Sequence, residues 1–165
     1  MLKILGSALF IFMIGSSAAL AQSTDYWDAD KLQENKECLL KVVRKHMRSQ
    51  GTSSPGLKIE SQTDLIVFQD AMEKWWGLRP DFFLNVFDGN TNTIYLMNKR
   101  TSYKHPRTPV DSLVHELVHY IQVVEQDGAL GDGDILEGDA VRIQTWFRET
   151  RGHLIQNDLY EGPCE

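Results

Sequence analysis

The chain has 165 residues, a formal net charge of −6 at pH 7 and 42% hydrophobic residues. This length suits one domain with one hydrophobic core. Nucleic-acid binding is disfavoured because the chain is acidic and carries no basic patch with interleaved aromatic residues. We expect a monomeric protein that does not bind nucleic acid.

Residues 1–21 have the features of a secretory signal peptide. Lys3 makes the start positive, residues 4–20 are mostly apolar, and Ala19-Leu20-Ala21 is an A-x-A-like cleavage site. Cleavage leaves residues 22–165 as a single domain, and the loss of Lys3 without any acidic residue moves the net charge from −6 to −7. The alternative is an uncleaved signal anchor, which the short apolar stretch disfavours. No later segment approaches the roughly 20 apolar residues of a membrane span. We therefore expect a periplasmic or secreted protein that is not held in the membrane after cleavage.

The first predicted helix runs from about Asp28 to Ser49 and carries Cys38, whereas Cys164 is next to the last residue. An even number of cysteines in an exported chain indicates pairing. We therefore predict a Cys38–Cys164 disulfide, which would stabilise the domain by up to about 4–5 kcal/mol through loop entropy. The alternative, in which both cysteines bind zinc, is weaker because neither adjoins a histidine that could share the ion.

A strand and a second helix are predicted next. Residues 57–60 alternate between apolar and polar side chains, as a half-buried strand does. Residues 61–76 begin with a sequence that resembles a capping box, and Gly77 is suited to end the helix. We expect Trp75 and Trp76 to lie in the core and to cover the first helix rather than to form a ligand platform.

A hairpin is predicted before the polar segment 99–107, which we expect to flank a cleft. Residues 82–87 and 93–97 are rich in β-forming side chains, and residues 88–92 are turn-like. A purely structural hairpin is equally consistent with these residues.

A third helix is predicted from its capping signals. Thr108 is suited to the N-cap, Pro109 to the first helical position and Asp111 to the positive end of the helix dipole. Apolar residues then recur at helical spacing and form one stripe: Val110, Leu113, Val114, Leu117, Val118, Ile121 and Val124. We expect this helix to stop before Asp127-Gly128, with the glycine as its C′ residue.

Residues 115–119 of this helix read His-Glu-Leu-Val-His, an HExxH motif. Histidines four residues apart lie on one face of a helix and can hold one cation, and two imidazoles suit Zn²⁺. Both lie beyond one edge of the apolar stripe, and Glu116 lies beyond the other, so all three would be presented outside it. Glu116 is suited to act as a general base. The motif as a whole is the signature of zinc-dependent peptide hydrolysis. The alternative is that both histidines are ordinary surface or core residues.

A catalytic zinc site needs a third protein ligand, and no histidine follows the motif at short spacing. A fourth helix is predicted with Asp134 as N-cap and Glu137 near its start, and small Ala140 would let it approach the third helix closely. Glu137 is the candidate third ligand. Asp134 or Asp139 could take that role instead, and Glu137 could be an ordinary capping residue.

Together, these two helices resemble those of the gluzincin metallopeptidases, whose type member is thermolysin, and the size resembles that of minigluzincins. The match lies in the HExxH at 115–119 and the Glu-Gly-Asp-Ala at 137–140, with seventeen residues between His119 and Glu137. The resemblance covers about residues 55–150. It implies an α+β, zincin-like domain, in which helices pack on a short β-sheet. By this resemblance, strand 93–97 would be the edge strand beside the HExxH helix and would pair with an extended peptide.

The resemblance further implies an exported zinc metallopeptidase acting on a peptide or protein substrate. Zn²⁺ would be held by His115, His119 and Glu137, and Glu116 would assist the attack of a zinc-bound water on the peptide bond. The alternatives are a non-catalytic zinc-binding exported protein and an effector or toxin with a narrow target.

The chain departs from the gluzincin pattern at two points. No Tyr or His lies between Ile121 and Glu137, so the oxyanion-stabilising or proton-donating group must come from elsewhere. The candidates are Tyr95, Tyr103, His105, His153 and Tyr160, and His153 is favoured by its order along the chain. Val141 stands where the family has an aspartate that supports a histidine ligand, and Asp139 is the candidate substitute.

Overall fold

The computed structural model describes residues 25–128 and 133–164. The predicted signal peptide and its cleavage site lie outside these ranges. The described residues form four α-helices, a three-stranded sheet and a two-stranded sheet. This confirms the predicted α+β class of a small domain. Within the described ranges, no helix is long and apolar enough to cross a membrane.

Helix α1 (Ala29–Met47) has the predicted position. The Asp28 side chain accepts hydrogen bonds from the backbone N–H groups of Asp30 and Lys31 and so caps the helix start. Arg48, in the left-handed conformation, ends the helix. One face of α1 is buried in the main core, where the helix packs against the HExxH helix.

The three-stranded sheet consists of β1 (Gly56–Ile59), β2 (Val86–Asp88) and β3 (Thr93–Leu96), in the order β1-β3-β2. The predicted hairpin is confirmed as β2 and β3, which are antiparallel with Phe87 opposite Ile94. Buried Asp88 closes its turn by accepting hydrogen bonds from the backbone of Asn90 and the hydroxyl of Thr91.

The expected role of residues 93–97 as the edge strand is wrong. Strand β3 lies in the centre, because β1 adds to its other side in parallel register. Its backbone groups are therefore paired on both sides and are not open to a substrate. The described sheet has two edge strands, β1 and β2. Of these, β2 is the one that packs on the HExxH helix.

Helix α2 (Leu65–Trp76) ends at Gly77, which has φ 66° as a C-terminal glycine requires. Its buried residues Phe68 and Met72 form a second, smaller core with Phe83 and Tyr95. The expectation for Trp75 and Trp76 is wrong, since these side chains are 42% and 47% exposed. They lie at the end of α2, one turn beyond buried Met72, and are largely solvent-facing among the described residues.

Helix α3 (Pro109–Tyr120) carries the HExxH motif through the centre of the domain. Thr108 and Asp111 form the predicted N-terminal cap as a reciprocal capping box. The helix continues into a π-helical turn, Ile121–Glu125. Asp127, with φ 55°, takes the left-handed conformation predicted for Gly128, because an Asp side chain tolerates it better than most others do.

Helix α4 (Gly133–Arg151) packs closely on α3. Ala140 is fully buried, and its small side chain permits the predicted close approach. The helix begins at Gly133, so Asp134 lies in its first turn and is not the N-cap.

The C-terminal residues form a short hairpin of β4 (Ile155–Gln156) and β5 (Leu159–Tyr160) on α1. The amide of buried Asn35 accepts from the Tyr160 backbone N–H at 2.7 Å. The predicted Cys38–Cys164 disulfide is confirmed. It joins the chain end to α1, is typical of an oxidising compartment, and excludes both cysteines as zinc ligands.

Candidate metal centre

Three side-chain atoms from α3 and α4 converge at one point. Nε2 of His119 lies 3.1 Å from Nε2 of His115 and 3.2 Å from Oε2 of Glu137. The remaining separation, from Nε2 of His115 to Oε2 of Glu137, is 3.4 Å. We refer to these three atoms as the ligand triangle.

The size of the ligand triangle fits a metal ion. Donors about 2.0–2.1 Å from a tetrahedral centre lie roughly 3.3–3.4 Å from one another. The three observed separations are close to this value, and two imidazoles with one carboxylate are a donor set that divalent transition metals accept. The group of His115, His119 and Glu137 can therefore bind a metal ion.

The two helices contribute unequally to this site. Helix α3 places His115 and His119 one turn apart with 14% and 20% of their side chains exposed. Glu137, near the start of α4, is 56% exposed and leaves one side of the triangle open. The pKa of His115 lies below its ordinary value because burial and the neighbouring His119 both disfavour its charged form. A neutral imidazole is the form that binds a metal.

The other acidic candidates are not part of the triangle. Asp139 points to Arg142 on its own helix, 3.1 Å away. Neither Asp134 nor Asp139 belongs to a group of convergent ligand atoms among the described residues. Asp139 therefore does not take the predicted role of supporting a histidine ligand.

The polar partner of His119 is Gln122, which the sequence reading missed. Nδ1 of His119 lies 3.0 Å from Oε1 of Gln122, and Nε2 of Gln122 donates to the Leu136 carbonyl at 3.0 Å. The three-residue spacing from His119 on a helix was the available signal. It was weak because the second partner lies on another helix.

Glu116 is oriented differently from the sequence expectation. Only 5% of the residue is exposed, because α3 is enclosed on several sides by α1, α4 and the sheet. Its carboxylate accepts a hydrogen bond from the backbone N–H of Phe87 in β2. Burial raises the pKa of Glu116 to about 8; the Phe87 bond opposes this rise, and the charge of Glu137 adds to it.

Tyr103 lies on the Glu116 side of α3. Its hydroxyl donates to the Met97 carbonyl at 2.8 Å and also lies 3.3 Å from the Asn85 amide. Burial raises the pKa of Tyr103 to about 12, and the charge of Glu116 contributes to this rise. The Tyr103 hydroxyl therefore keeps its proton at neutral pH and donates it to the Met97 carbonyl.

The structure does not bring His153 to the ligand triangle. This exposed residue lies in the short 3-10 turn Gly152–Leu154, which follows the end of α4. Glu137 is near the other end, and the rise of about 1.5 Å per residue places Arg151 roughly 21 Å further along the axis. Order along the chain was misleading here because a long straight helix separates the two positions.

A cavity of about 1290 Å³ lies elsewhere on the domain. Its walls come from the start of α1, residues 60–65 and residues 81–83, and they include neither histidine of the triangle nor Glu137. The ligand triangle and this cavity therefore lie at different places on the domain. The convergent donor atoms are the stronger sign of a functional site.

No known protein family, curated protein or solved structure matches this chain. What can be said of the site therefore comes from its own residues. The ligand triangle defines a candidate metal centre between α3 and α4, and buried Glu116 lies on the same helix as its two histidines.

Proposed function

We propose that the protein is an exported zinc metallopeptidase of the gluzincin type. The observation that carries the proposal is the ligand triangle, because it unites the HExxH histidines with Glu137 at the separations a tetrahedral ion needs. The disulfide adds support for export, since such bonds persist in oxidising compartments.

His115, His119 and Glu137 would hold the ion. When bound, Zn²⁺ supplies a Lewis acid that polarises a carbonyl oxygen and lowers the pKa of a water molecule. The lowered pKa of His115 favours the neutral imidazole that this role requires.

Glu116 is the proposed general base. Its carboxylate would take a proton from the attacking water and pass that proton to the nitrogen of the leaving amine. Burial holds the pKa of Glu116 at about 8 in the metal-free protein, and a nearby cation would lower it toward neutrality. A base whose pKa lies near the working pH is the most effective.

An extended peptide would bind along β2, the edge strand that contacts α3. Peptides add to exposed sheet edges through main-chain hydrogen bonds. Glu116 accepts from the Phe87 N–H of this strand, so the proposed base lies beside the proposed substrate edge, and a bound peptide would compete with it for this N–H. This assignment replaces strand β3, which is enclosed by its neighbours.

A second candidate is an exported zinc protein without catalytic activity. It is favoured because neither Tyr103 nor His153 is placed to stabilise an oxyanion at the ion. Tyr103 donates to Met97, and His153 lies beyond the far end of α4. It is opposed by the buried carboxylate of Glu116, which a purely structural site does not need.

One experiment separates these candidates. The wild type, Glu116→Gln and the control Asp139→Asn would be loaded with zinc and incubated with a library of peptides cut from a whole proteome. We expect equal zinc in all three, cleavage by wild type and control, and loss of cleavage in Glu116→Gln. Zinc binding without cleavage by wild type would favour the second candidate, and unchanged cleavage by Glu116→Gln would remove Glu116 as the base.

A further inference from the structure

Gln122 lies in an unusual environment for a glutamine. The residue is only 4% exposed, although glutamines are mostly found at protein surfaces. Both ends of its amide have partners. Oε1 lies 3.0 Å from Nδ1 of His119 on α3, and Nε2 donates over 3.0 Å to the carbonyl of Leu136 on α4.

These two contacts favour one placement of the proton on His119, in competition with Oε2 of Glu137, which lies 3.2 Å from the other ring nitrogen. A carbonyl oxygen can only accept, so the NH₂ group of Gln122 must face Leu136 and its Oε1 must face His119. Since Oε1 also only accepts, it favours the proton of the neutral imidazole on Nδ1. The lone pair is thereby left on Nε2, the atom that belongs to the ligand triangle.

The same amide also reaches the backbone that delivers the third ligand. Leu136, whose carbonyl accepts from Gln122, directly precedes Glu137. The backbone at Gln122 is tightly enclosed as well: Gly128 N–H donates to the Gln122 carbonyl at 2.8 Å, and a Cβ at Gly128 would lie only 2.6 Å from that oxygen. Gln122 is part of the π-helical turn, a feature that often marks functional sites.

We propose that Gln122 is a positioning residue of the metal centre, which sets the His119 tautomer and holds the start of α4 against α3. It acts through His119 and Glu137 and touches neither the ion nor the substrate. The proposal rests on the metal site of the proposed function. Because the amide is neutral, Glu137 would remain the only negative ligand group around the ion.

A merely structural bridge between the helices is the competing explanation, and the chain offers a matched control for it. Gln144 on α4 donates from Nε2 to the Asp111 carbonyl on α3 at 3.1 Å. It is the same residue type and makes the same kind of interhelical bond, yet it bonds to no histidine. A purely structural role predicts similar consequences when either glutamine is replaced.

The test compares the exported protein with Gln122→Met, Gln122→Glu and Gln144→Met. Zinc affinity would be measured by competition with a chromophoric chelator, and thermal unfolding would be followed without metal. We expect Gln122→Met to bind zinc about 10–100-fold more weakly, as is common when the partner of a histidine ligand is removed. Gln144→Met should keep the wild-type affinity. Gln122→Glu retains an acceptor for His119 but loses the donor to the Leu136 carbonyl, so it should recover only part of the loss.

Each outcome has a separate meaning. Equal affinities in wild type and Gln122→Met would overturn the role of Gln122 and leave the zinc site intact. Equal losses in Gln122→Met and Gln144→Met would show a structural effect only. A wild type that binds no zinc would refute the proposed function and, with it, the metal role of Gln122.

A second measurement does not depend on whether a variant folds. The ¹⁵N chemical shifts of the His119 ring in the metal-free wild type at pH 8 report the tautomer directly. We expect the proton on Nδ1. A proton on Nε2 would overturn the proposed action of Gln122.

Discussion

Replacement of Ala140 by leucine should damage the metal site without touching a ligand. Ala140 is fully buried where α4 packs on α3, three residues after Glu137. A leucine there needs space that only a shift of α4 away from α3 can supply. Overpacking of this kind costs about 1–3 kcal/mol of unfolding free energy.

The effect on the metal follows from the narrow tolerance of coordination. The edges of the ligand triangle measure 3.1, 3.2 and 3.4 Å. Metal–ligand bonds tolerate deviations of only about 0.2 Å. A shift of α4 by roughly 1 Å would therefore remove Glu137 from the ion while both histidines stay in place. We expect zinc affinity to fall at least about tenfold, the lower limit seen when support for a ligand is lost.

Chelator competition and urea unfolding would measure the two effects on the same samples. Val141→Leu is the control, because this neighbouring residue is 45% exposed and a larger side chain has room there. It should leave both quantities unchanged. A stable Ala140→Leu variant with wild-type zinc affinity would refute the idea that close packing of α4 on α3 places Glu137.

Three further predictions concern stability. Replacement of Cys38 and Cys164 by serine should lower the unfolding free energy by about 2–5 kcal/mol, because the bond closes a loop with a sequence separation of 126 residues; a change below about 1 kcal/mol in urea titrations would contradict this. Burial alone would raise the pKa of Glu125, but hydrogen bonds from Arg44 and Ser49 outweigh it and the pKa lies below the ordinary 4.5. The stabilisation from the Arg44–Glu125 pair is therefore complete above pH 4.5 and is lost as the pH falls through the lowered pKa of Glu125. Urea midpoints measured across this pH range should show less acid sensitivity in Arg44→Met than in wild type. Gly128→Ala should destabilise the domain by about 1–3 kcal/mol, since its Cβ would press on the Gln122 carbonyl, and an unchanged melting temperature would exclude that contact.

Features that depend on nearby residues were predictable from the sequence. The capping box of Thr108 and Asp111 involves atoms within one helical turn, and the pairing of His115 with His119 follows from helix geometry alone. The β2–β3 hairpin needs only a short turn. Local stereochemistry fixes each of these before any tertiary packing is considered.

Features that depend on distant partners were not predictable in the same way. Strand β3 becomes central only because β1, more than thirty residues earlier, pairs with it in parallel. Glu116 is buried by elements on several sides of α3, and Gln122 is completed by a carbonyl on α4. The end of α2 at Gly77 was predicted correctly from the glycine itself, but the exposure of Trp75 and Trp76 depends on the tertiary packing and was not.

The most direct test of the metal centre is anomalous diffraction at the zinc edge from crystals of the purified protein. We predict one ion bound by Nε2 of His115, Nε2 of His119 and a carboxylate oxygen of Glu137, each at about 2.0–2.2 Å. An ion held by other residues, or none at this position in zinc-saturated crystals, would contradict it.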